Sequence, residues 1–400
     1  MSQHIALSAF WPGFELTNLQ VSDSLVNVQL EPDPKAPLIC NSCSKPCSTI
    51  HDRQWRTIRD LPMLGRCVRL NVLMFRLACP DCGPRLQQLS WLCRYSRVTQ
   101  RLAQTIAQLC TKLPAAHVAQ LFGLHWSTVR EIDRRHLRQA LSERPCAHPT
   151  RLIMDEFALN KGHRYASVIL DADTKRVLWI GLGRSRMSIR GFFEQLGATG
   201  CARIQAVAMD MSTAFDLEVR KHCPHVRIIY DLFHVVAKYA REVISRVRVD
   251  AANQLRHDKP ARRVIKQAHW LLLRNPARLE PQQQVHLNEV LQANQSLMTV
   301  YVMREQLKSL WIAPDAWEWR RRWKQWLLHA KQSEIPALSR FANLLKPYWR
   351  GIVSRVRWPM HTGVLEGINN KIKLIKRMAF GYRNSDYFFL KIKAAFPGNP

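Results

Sequence analysis

Residues 151–159 read RLIMDEFAL, an apolar run of strand type that meets an acid at Asp155. A second run, AVAM, meets Asp210 in the same way within IQAVAMDMS (204–212). A buried carboxylate without a partner is costly, so acids at matching ends of two strand-type runs indicate a metal ion or a cationic partner. We therefore expect Asp155 and Asp210 to converge on divalent metal.

A third acid, Glu366, lies in the basic amphipathic stretch TGVLEGINNKIKLIKR (362–377). Taken alone, it could simply form helical ion pairs with the neighbouring Lys371, Lys373, Lys376 and Arg377. Hard carboxylate oxygens suit Mg²⁺ or Mn²⁺. Other acids compete for the same role: Glu156, Asp171, Asp173, Asp216 and Asp231. Asp231 is the main rival, because it ends a strand-like run and is followed by His234, which could orient a ligand, contact DNA or simply begin a helix.

The pattern around the first two acids predicts a multidomain α/β protein. Residues 151–237 alternate strand-type and helix-type segments, which indicates a mixed sheet flanked by helices. Residues 238–345 are basic and helical in pattern. We expect a packed core, in preference to wedges that stack on bases, from four tryptophans of this segment: Trp317, Trp319, Trp323 and Trp326. We divide the chain into N-terminal strands (1–36), a zinc-binding ribbon (37–93), a helix-turn-helix domain (94–142), the first part of the core (151–237), a helical insertion (238–345) and the C-terminal part of the core (346–400).

Two close cysteine pairs, Cys40/Cys43 and Cys79/Cys82, predict a tetrahedral Zn²⁺ site. Cys47 and Cys67 are possible substitutes within the same segment. The remaining cysteines have no close partner in the sequence, so we expect them to be buried small apolar residues: Cys93, Cys110, Cys146, Cys201 and Cys223.

The stretch PAAHVAQLFGLHWSTVREIDRRHLRQAL (114–141) has the layout of a helix-turn-helix. Ala119 is small where two helices must approach, Gly123 supplies the turn, and Ser127 or Thr128 could cap the second helix. That second helix would present to a major groove Trp126, Ser127, Thr128, Arg130 and Arg134. Arg135 and Arg138 would meet phosphates.

The charge balance favours a polyanionic partner. Sixty Lys and Arg stand against 30 Asp and Glu, a net charge of +30, and nucleic acid is the leading candidate. No apolar stretch is long enough to span a membrane, and the start MSQHIALSAFWPGFEL lacks the basic residues of a secretory signal. We expect a cytoplasmic, nucleoid-associated protein without a membrane partner.

Together these motifs resemble the DDE transposases of bacterial insertion sequences, and more narrowly the ISL-three family. The resemblance covers nearly the whole chain and rests on the CxxC pairs, the helix-turn-helix, MDEFAL with KGHRYASVILD, AVAMDMS, YDLFHVV and GVLEGINNKIKLIKRMAFGYRN. It implies an RNase H-like core whose acid triad falls on Asp155, Asp210 and Glu366, with a helical insertion between the last two. For the second acid we favour Asp210 over Asp231.

The resemblance implies a transposase that binds the terminal inverted repeats of its element, cleaves at the element ends and transfers the 3′-OH strand to target DNA. Further DNA contacts would come from Lys371, Lys373 and Arg377, and a homodimer or larger synaptic complex would join two ends. Three alternatives remain open: a non-catalytic zinc and helix-turn-helix regulator, an ordinary metal nuclease, and an inactive transposase copy.

Overall fold

The structure is a computed structural model that describes residues 7–160, 164–358, 360 and 363–399. It divides into two compact units. The first contains Met1–Arg144 and Leu374–Ala394, and the second contains Pro145–Lys373 and Ala395–Pro400. Among the described residues, no helix is long and apolar enough to cross a membrane.

A five-stranded sheet with the order β1-β2-β4-β3 forms the base of the first unit, and β5 pairs with β4 outside this path. Its strands are β1 (Phe14–Val21), β2 (Leu25–Pro32), β3 (Ile50–Met63), β4 (Arg66–Cys79) and β5 (Gly83–Leu86). Alternation along β2 and β4 places Val28, Leu30, Leu70 and Val72 in one buried cluster. Because β2 pairs in parallel with β4, the predicted N-terminal strands and the predicted ribbon share one sheet.

Three helices follow: α1 (Gln100–Leu109), α2 (Ala115–Phe122) and α3 (Trp126–Ser142). Val118, Ala119, Phe122 and Val129 are buried between them, as the helix-turn-helix spacing predicts. Gly123 ends α2 with φ +55°, a left-handed conformation that glycine adopts without steric cost.

The second unit is built on another five-stranded sheet, with the order β10-β9-β6-β7-β8. Its strands are β6 (Arg151–Asn160), β7 (Arg164–Asp171), β8 (Val177–Leu182), β9 (Ala206–Met209) and β10 (Arg227–Tyr230). The pairs β6–β7 and β7–β8 are antiparallel, whereas β6–β9 and β9–β10 are parallel. The predicted mixed sheet is therefore confirmed.

Among the described residues, twelve α-helices follow in the chain order of the second unit, the last of which continues from Lys373 into the first unit. They are α4 (Arg186–Arg203), α5 (Thr213–His222), α6 (Leu232–Tyr239), α7 (Ser245–Gln254), α8 (Lys259–Gln267), α9 (His269–Leu273), α10 (Pro281–Gln292), α11 (Gln295–Ser309), α12 (Ala316–Gln332), α13 (Pro336–Leu345), α14 (Trp349–Arg357) and α15 (Gly363–Met378). Strand β10 ends at Tyr230 and α6 begins at Leu232, so Asp231 lies between the two elements.

The tryptophans of the insertion divide between core and surface. Trp319, Trp323 and Trp326 are buried on α12, and their rings stack in series with centroids 5.4 and 5.7 Å apart. The expected packed core is confirmed for these three residues. Trp270 and Trp317 are exposed instead.

The last helix, α16 (Ser385–Ala395), falls within the first unit except for its final residue. Asp133 on α3 accepts hydrogen bonds from the Tyr387 hydroxyl and the Lys391 ammonium of this helix. Asp133 is buried, so its carboxylate has lost its contact with water. The hydrogen bonds from these two donors offset the free-energy cost of that loss. The C-terminal helix is thus joined to the helix-turn-helix.

A fully buried carboxylate, Glu218, ties α5 to α4 in the second unit. Its oxygens accept hydrogen bonds of 2.7 Å from both Arg190 and Arg186, and His222 lies 3.2 Å away. The hydrogen bond from Arg190, supported by those from Arg186 and His222, outweighs burial and lowers the pKa of Glu218 to about 2. Glu218 is therefore ionised in the folded protein at any pH well above this value.

We predict that Glu218→Gln lowers the free energy of unfolding at neutral pH by about 1–3 kcal/mol, the scale of hydrogen bonds to charged groups. The folded pKa is depressed, so this stabilisation is complete above the ordinary value of 4.5 and is lost as the pH falls from there towards 2. Urea unfolding of the full chain, followed by circular dichroism at several pH values, measures both effects. The exposed Glu194→Gln on α4 is the matched control, and equal acid sensitivity in the two variants would contradict the assignment.

Candidate functional site

The two cysteine pairs meet in the first unit. The sulfur atoms of Cys40, Cys43, Cys79 and Cys82 all lie within 4.8 Å of one another, with Cys43 and Cys79 3.6 Å apart. The first pair lies in a loop before β3, while Cys79 ends β4 and Cys82 precedes β5. A gap of 36 residues in the sequence is therefore closed by the hairpins of the sheet.

The backbone of both pairs suits a metal knuckle. Ser44 and Gly83, each directly after the second cysteine of a pair, have φ of 59° and 67°. These left-handed residues turn the chain back so that both thiols of a pair face the same point. Backbone N–H groups of Cys43 and Ser42 lower the pKa of the Cys40 thiol to about 7, whereas burial and the neighbouring thiols raise the pKa of Cys43 to about 12. A metal ion would hold these sulfur atoms together as thiolates. The donor set therefore fits Zn²⁺.

The other cysteines lie outside this cluster. Cys47 is buried and directs its thiol to the carbonyl oxygens of Ala78 and Thr49, at 3.4 and 3.7 Å. Cys110, Cys201 and Cys223 are buried as expected, but Cys93 and Cys146 are exposed, so the expectation of burial is wrong for them. Both lie in loops, where no apolar face of a helix or strand directs the side chain inward.

In the second unit, Asp155 and Asp210 line one cavity of about 250 Å³. Ile153 and Ala208, two residues before each acid, are register partners of the parallel pair β6–β9. The two acids therefore lie at the same level of the sheet. The expectation that both end a strand is wrong for Asp155, because β6 continues beyond it to Asn160 and pairs it with Val168 of β7, whereas Asp210 directly follows β9. Asp155 is 9% exposed, whereas the side chain of Asp210 is 43% exposed.

Burial dominates the electrostatics of Asp155. It raises the pKa of this carboxyl group, and the nearby charge of Asp210 acts in the same direction. The Glu156 backbone, His234 and Asn369 oppose the shift. Such a group binds a cation readily, because a positive charge replaces the solvation that burial removes.

His234 on α6 lies beside the acids. Its Nδ1 is 3.5 Å from Oδ2 of Asp210, and its side chain is partly exposed. Asp231, the rival for the second acid, is buried at the end of β10, and its backbone N–H donates to the Met209 carbonyl. Asp231 is absent from the described lining of the cavity that contains Asp155 and Asp210.

Helix α15 reaches this site through a residue that sequence reasoning missed. The side-chain amide of Asn369 donates a 2.9 Å hydrogen bond to Oδ2 of Asp155. Glu366 is exposed, one turn earlier on the same helix, and is not among the described residues that line the cavity. An alternation pattern could not reveal Asn369, because its partner is 214 residues away in the sequence.

Two further lining residues, Glu156 and Arg184, form an ion pair with 3.7 Å between Nη1 and Oε1. Burial raises the pKa of Glu156, and the neighbouring acids add to the shift, while Arg184 opposes it. Glu156 is one of the competing acids that the sequence offers. Arg184 follows strand β8 and offered no signal in the sequence.

The second helix of the helix-turn-helix begins at Trp126 and is capped by His125, whose ring nitrogen accepts from the Ser127 N–H. The expected cap at Ser127 or Thr128 is therefore wrong: both residues already lie within the first helical turn. His125 can replace them because its Nδ1 accepts a hydrogen bond as a capping oxygen would.

The predicted DNA-contacting residues of α3 differ in accessibility. Trp126 is exposed, and the Arg130 guanidinium lies 4.9 Å from the centre of its ring. Arg134 is half-buried and paired with Glu131 at 3.7 Å. Thr128, Arg135 and Arg138 are exposed as well, whereas Ser127 and Arg130 are half-buried. Helix α3 therefore presents both an aromatic and a cationic surface.

The residues of α15 that are predicted to contact DNA, Lys371, Lys373 and Arg377, are exposed. Lys373 and Arg377 reach solvent. Lys371 donates to the Ala395 carbonyl at 3.0 Å and lies 4.7 Å from the centre of the Phe396 ring, so part of its bonding capacity is used within the protein.

Two protein-family models match this chain, one over the region that contains the acids and one over the helix-turn-helix. The family model for ISL3 DDE transposases, described as "Transposase", matches residues 152–392. A model described as "Helix-turn-helix domain of transposase family ISL3" matches residues 87–137.

Relatives extend the match to nearly the full length. The chain is 51% identical over 394 residues to the "Transposase for insertion sequence element IS1001" of Bordetella parapertussis, covering 97% of each chain. It is 27% identical over 356 residues to the "Transposase for insertion sequence element IS1557" of Mycobacterium tuberculosis, covering 83% of this chain and 79% of the relative. The resemblance stated from the motifs is confirmed, and this chain belongs to the ISL3 family of insertion-sequence transposases.

Proposed function

We propose that this transposase cleaves DNA at the ends of its element and transfers the freed 3′-OH strand to target DNA by metal-dependent phosphoryl transfer. The observation that carries the proposal is the convergence of Asp155, within β6, and Asp210, directly after the parallel strand β9, on one cavity. Three antiparallel strands continued by two parallel ones support an RNase H-like core.

Carboxylates of Asp155 and Asp210 would hold Mg²⁺ or Mn²⁺, and Glu366 is the proposed third ligand because Asn369, on the same helix, contacts Asp155. When bound, two such ions activate the attacking oxygen and stabilise the leaving one. The chain itself supplies a partly enclosed acidic cavity, the orientation of Asp155 and, through its net charge of +30, attraction for the DNA backbone.

The DNA-binding unit would recognise the terminal inverted repeats. Helix α3 would read bases through Trp126, Ser127, Thr128, Arg130 and Arg134, with Arg135 and Arg138 on phosphates. Lys371, Lys373 and Arg377 would make further contacts with DNA. Zn²⁺ on the four cysteines would stabilise the sheet, and a homodimer or larger complex at the nucleoid would hold two ends together.

We predict that the protein cuts a labelled DNA fragment carrying the flanking repeats in Mg²⁺ and not in EDTA. Asp155→Ala and Glu366→Ala should each lower cleavage by more than about 100-fold, the scale on which single electrostatic groups act in catalysis. Both should bind the ends normally, and the exposed Glu289→Ala serves as the control.

Normal cleavage by Asp155→Ala would refute the proposed site. If Glu366→Ala cleaves normally while Asp155→Ala does not, Glu366 is not the third metal ligand. Glu156 would then be the first candidate for that role. Binding without cleavage by the unaltered chain would favour a regulator or an inactive copy, and cleavage without joining of the 3′-OH to target DNA would favour a nuclease.

We predict that Cys79→Ser abolishes zinc binding and lowers thermal stability, because a structural zinc site contributes directly to folding. Cys47→Ser is a matched control, since Cys47 is a buried cysteine of the same segment that lies outside the four-thiol cluster. Zinc content by atomic absorption and the melting temperature measure the result. Loss of zinc from both variants, or from neither, would contradict the assignment of the ligands.

We predict that the two kinds of arginine on α3 behave differently when replaced by glutamine. Arg130→Gln should weaken binding to the repeats by about 1–3 kcal/mol and relax base preference, whereas Arg138→Gln should reduce the slope of log K against log salt by about 1. Lys35→Gln, an exposed change of the same charge in this unit, should do neither. Fluorescence anisotropy at several salt concentrations separates these outcomes, and identical slopes for Arg138→Gln and the unaltered chain would remove Arg138 from the interface.

A further inference from the structure

The side chain of Asn369 is only half satisfied in the structure. Its Nδ2 donates to Asp155, but its Oδ1 is buried and accepts no hydrogen bond from the described part of the chain. Buried polar atoms nearly always find a partner, so an unpaired one calls for an explanation. Because Oδ1 belongs to the same amide as Nδ2, it lies next to the Asp155 carboxylate.

The surroundings indicate what kind of partner this oxygen would take. The cavity beside Asp155 is lined by Glu156 and Asp210 as well, and all three are acids. Arg184, the basic residue of the described lining, is directed to Glu156 and to the Tyr165 ring, 4.7 Å from its centre. His234 is directed to Asp210. Such an acidic cavity favours a hydrated cation over an anion, and the unpaired oxygen of Asn369, which is not among the described lining residues, is buried behind the Asp155 carboxylate.

We propose that Asn369 is a positioning residue of the metal site with two roles. Its Nδ2 fixes the orientation of the Asp155 carboxylate, and its Oδ1 contacts the divalent ion, either directly or through one of the water molecules that the ion retains. The inference rests on the proposed metal-dependent function. Amide oxygens belong to the hard ligands of divalent ions, and groups that orient a ligand strongly affect metal affinity.

The position of Asn369 on α15 gives this contact a second consequence. Residues three apart on a helix lie on neighbouring parts of one face, so the bond to Asp155 keeps the turn that carries Glu366 beside the first acid. A side-chain amide suits this place because it supplies a donor and an acceptor without adding negative charge to the acids already there.

The test measures metal affinity in the absence of DNA. Zinc-loaded full chain is titrated with Mn²⁺, and free Mn²⁺ is followed by electron paramagnetic resonance. We expect Asn369→Leu, which keeps the approximate shape of the side chain, to bind Mn²⁺ about 10–100-fold more weakly. Asn370→Leu is the matched control, because Asn370 is the next residue on the same helix and is exposed; its affinity should not change.

A second variant covers the case in which Asn369→Leu does not fold. Asn369→Asp keeps an oxygen at this place but sets another carboxylate against Asp155. We expect its melting temperature to be lower than that of the unaltered chain without metal and to recover on addition of Mn²⁺. A melting temperature that stays low in Mn²⁺ would overturn the proposal.

The variant Asp155→Ala separates this inference from the function on which it rests. Loss of Mn²⁺ affinity in Asp155→Ala together with unchanged affinity in folded Asn369→Leu would overturn the role of Asn369 and leave the acid site intact. Unchanged affinity in both variants would overturn both proposals. Weaker binding in both, with Asn370→Leu unaffected, is the expected result.

Discussion

A carboxylate that leaves water must be compensated by cations or by hydrogen-bond donors, and this constraint organises the described structure. Asp60 is compensated by Trp11, Thr99 and Arg101, which connect the first sheet to α1. Elsewhere Asp133 joins α3 to α16, and Glu218 joins α5 to α4. Each of these buried acids therefore holds two elements of one unit together.

Asp155 is compensated differently. It is buried, yet among the described residues no Arg or Lys forms an ion pair with it, although the chain contains 60 such residues. Its side-chain partner is the neutral amide of Asn369. An arginine here would satisfy the carboxylate permanently and exclude a metal ion, whereas an amide leaves its negative charge available. The contrast with Asp60 and Glu218 is the strongest physical reason to separate structural acids from the candidate metal ligand.

The second sheet explains how residues distant in sequence reach the same point. Parallel pairing of β6 with β9 sets Ile153 opposite Ala208, so Asp155 within β6 and Asp210 directly after β9 lie at the same level of the sheet. The helical insertion between Asp210 and α15 packs around the stacked tryptophans of α12 and shares one continuous hydrophobic core with the strands of the sheet.

The sequence by itself determined what depends on neighbouring residues: the apolar runs before Asp155 and Asp210, the CxxC spacing, Gly123 between α2 and α3, and the ISL-three likeness. Short-range periodicity and turn chemistry encode these features directly. Tertiary structure alone decided that β2 pairs with β4, that Asp133 meets Tyr387, that Cys93 and Cys146 are exposed, and that Asn369 instead of Glu366 contacts Asp155. Such contacts join residues far apart in the chain, and strand register and packing select them from many alternatives that local patterns permit equally well.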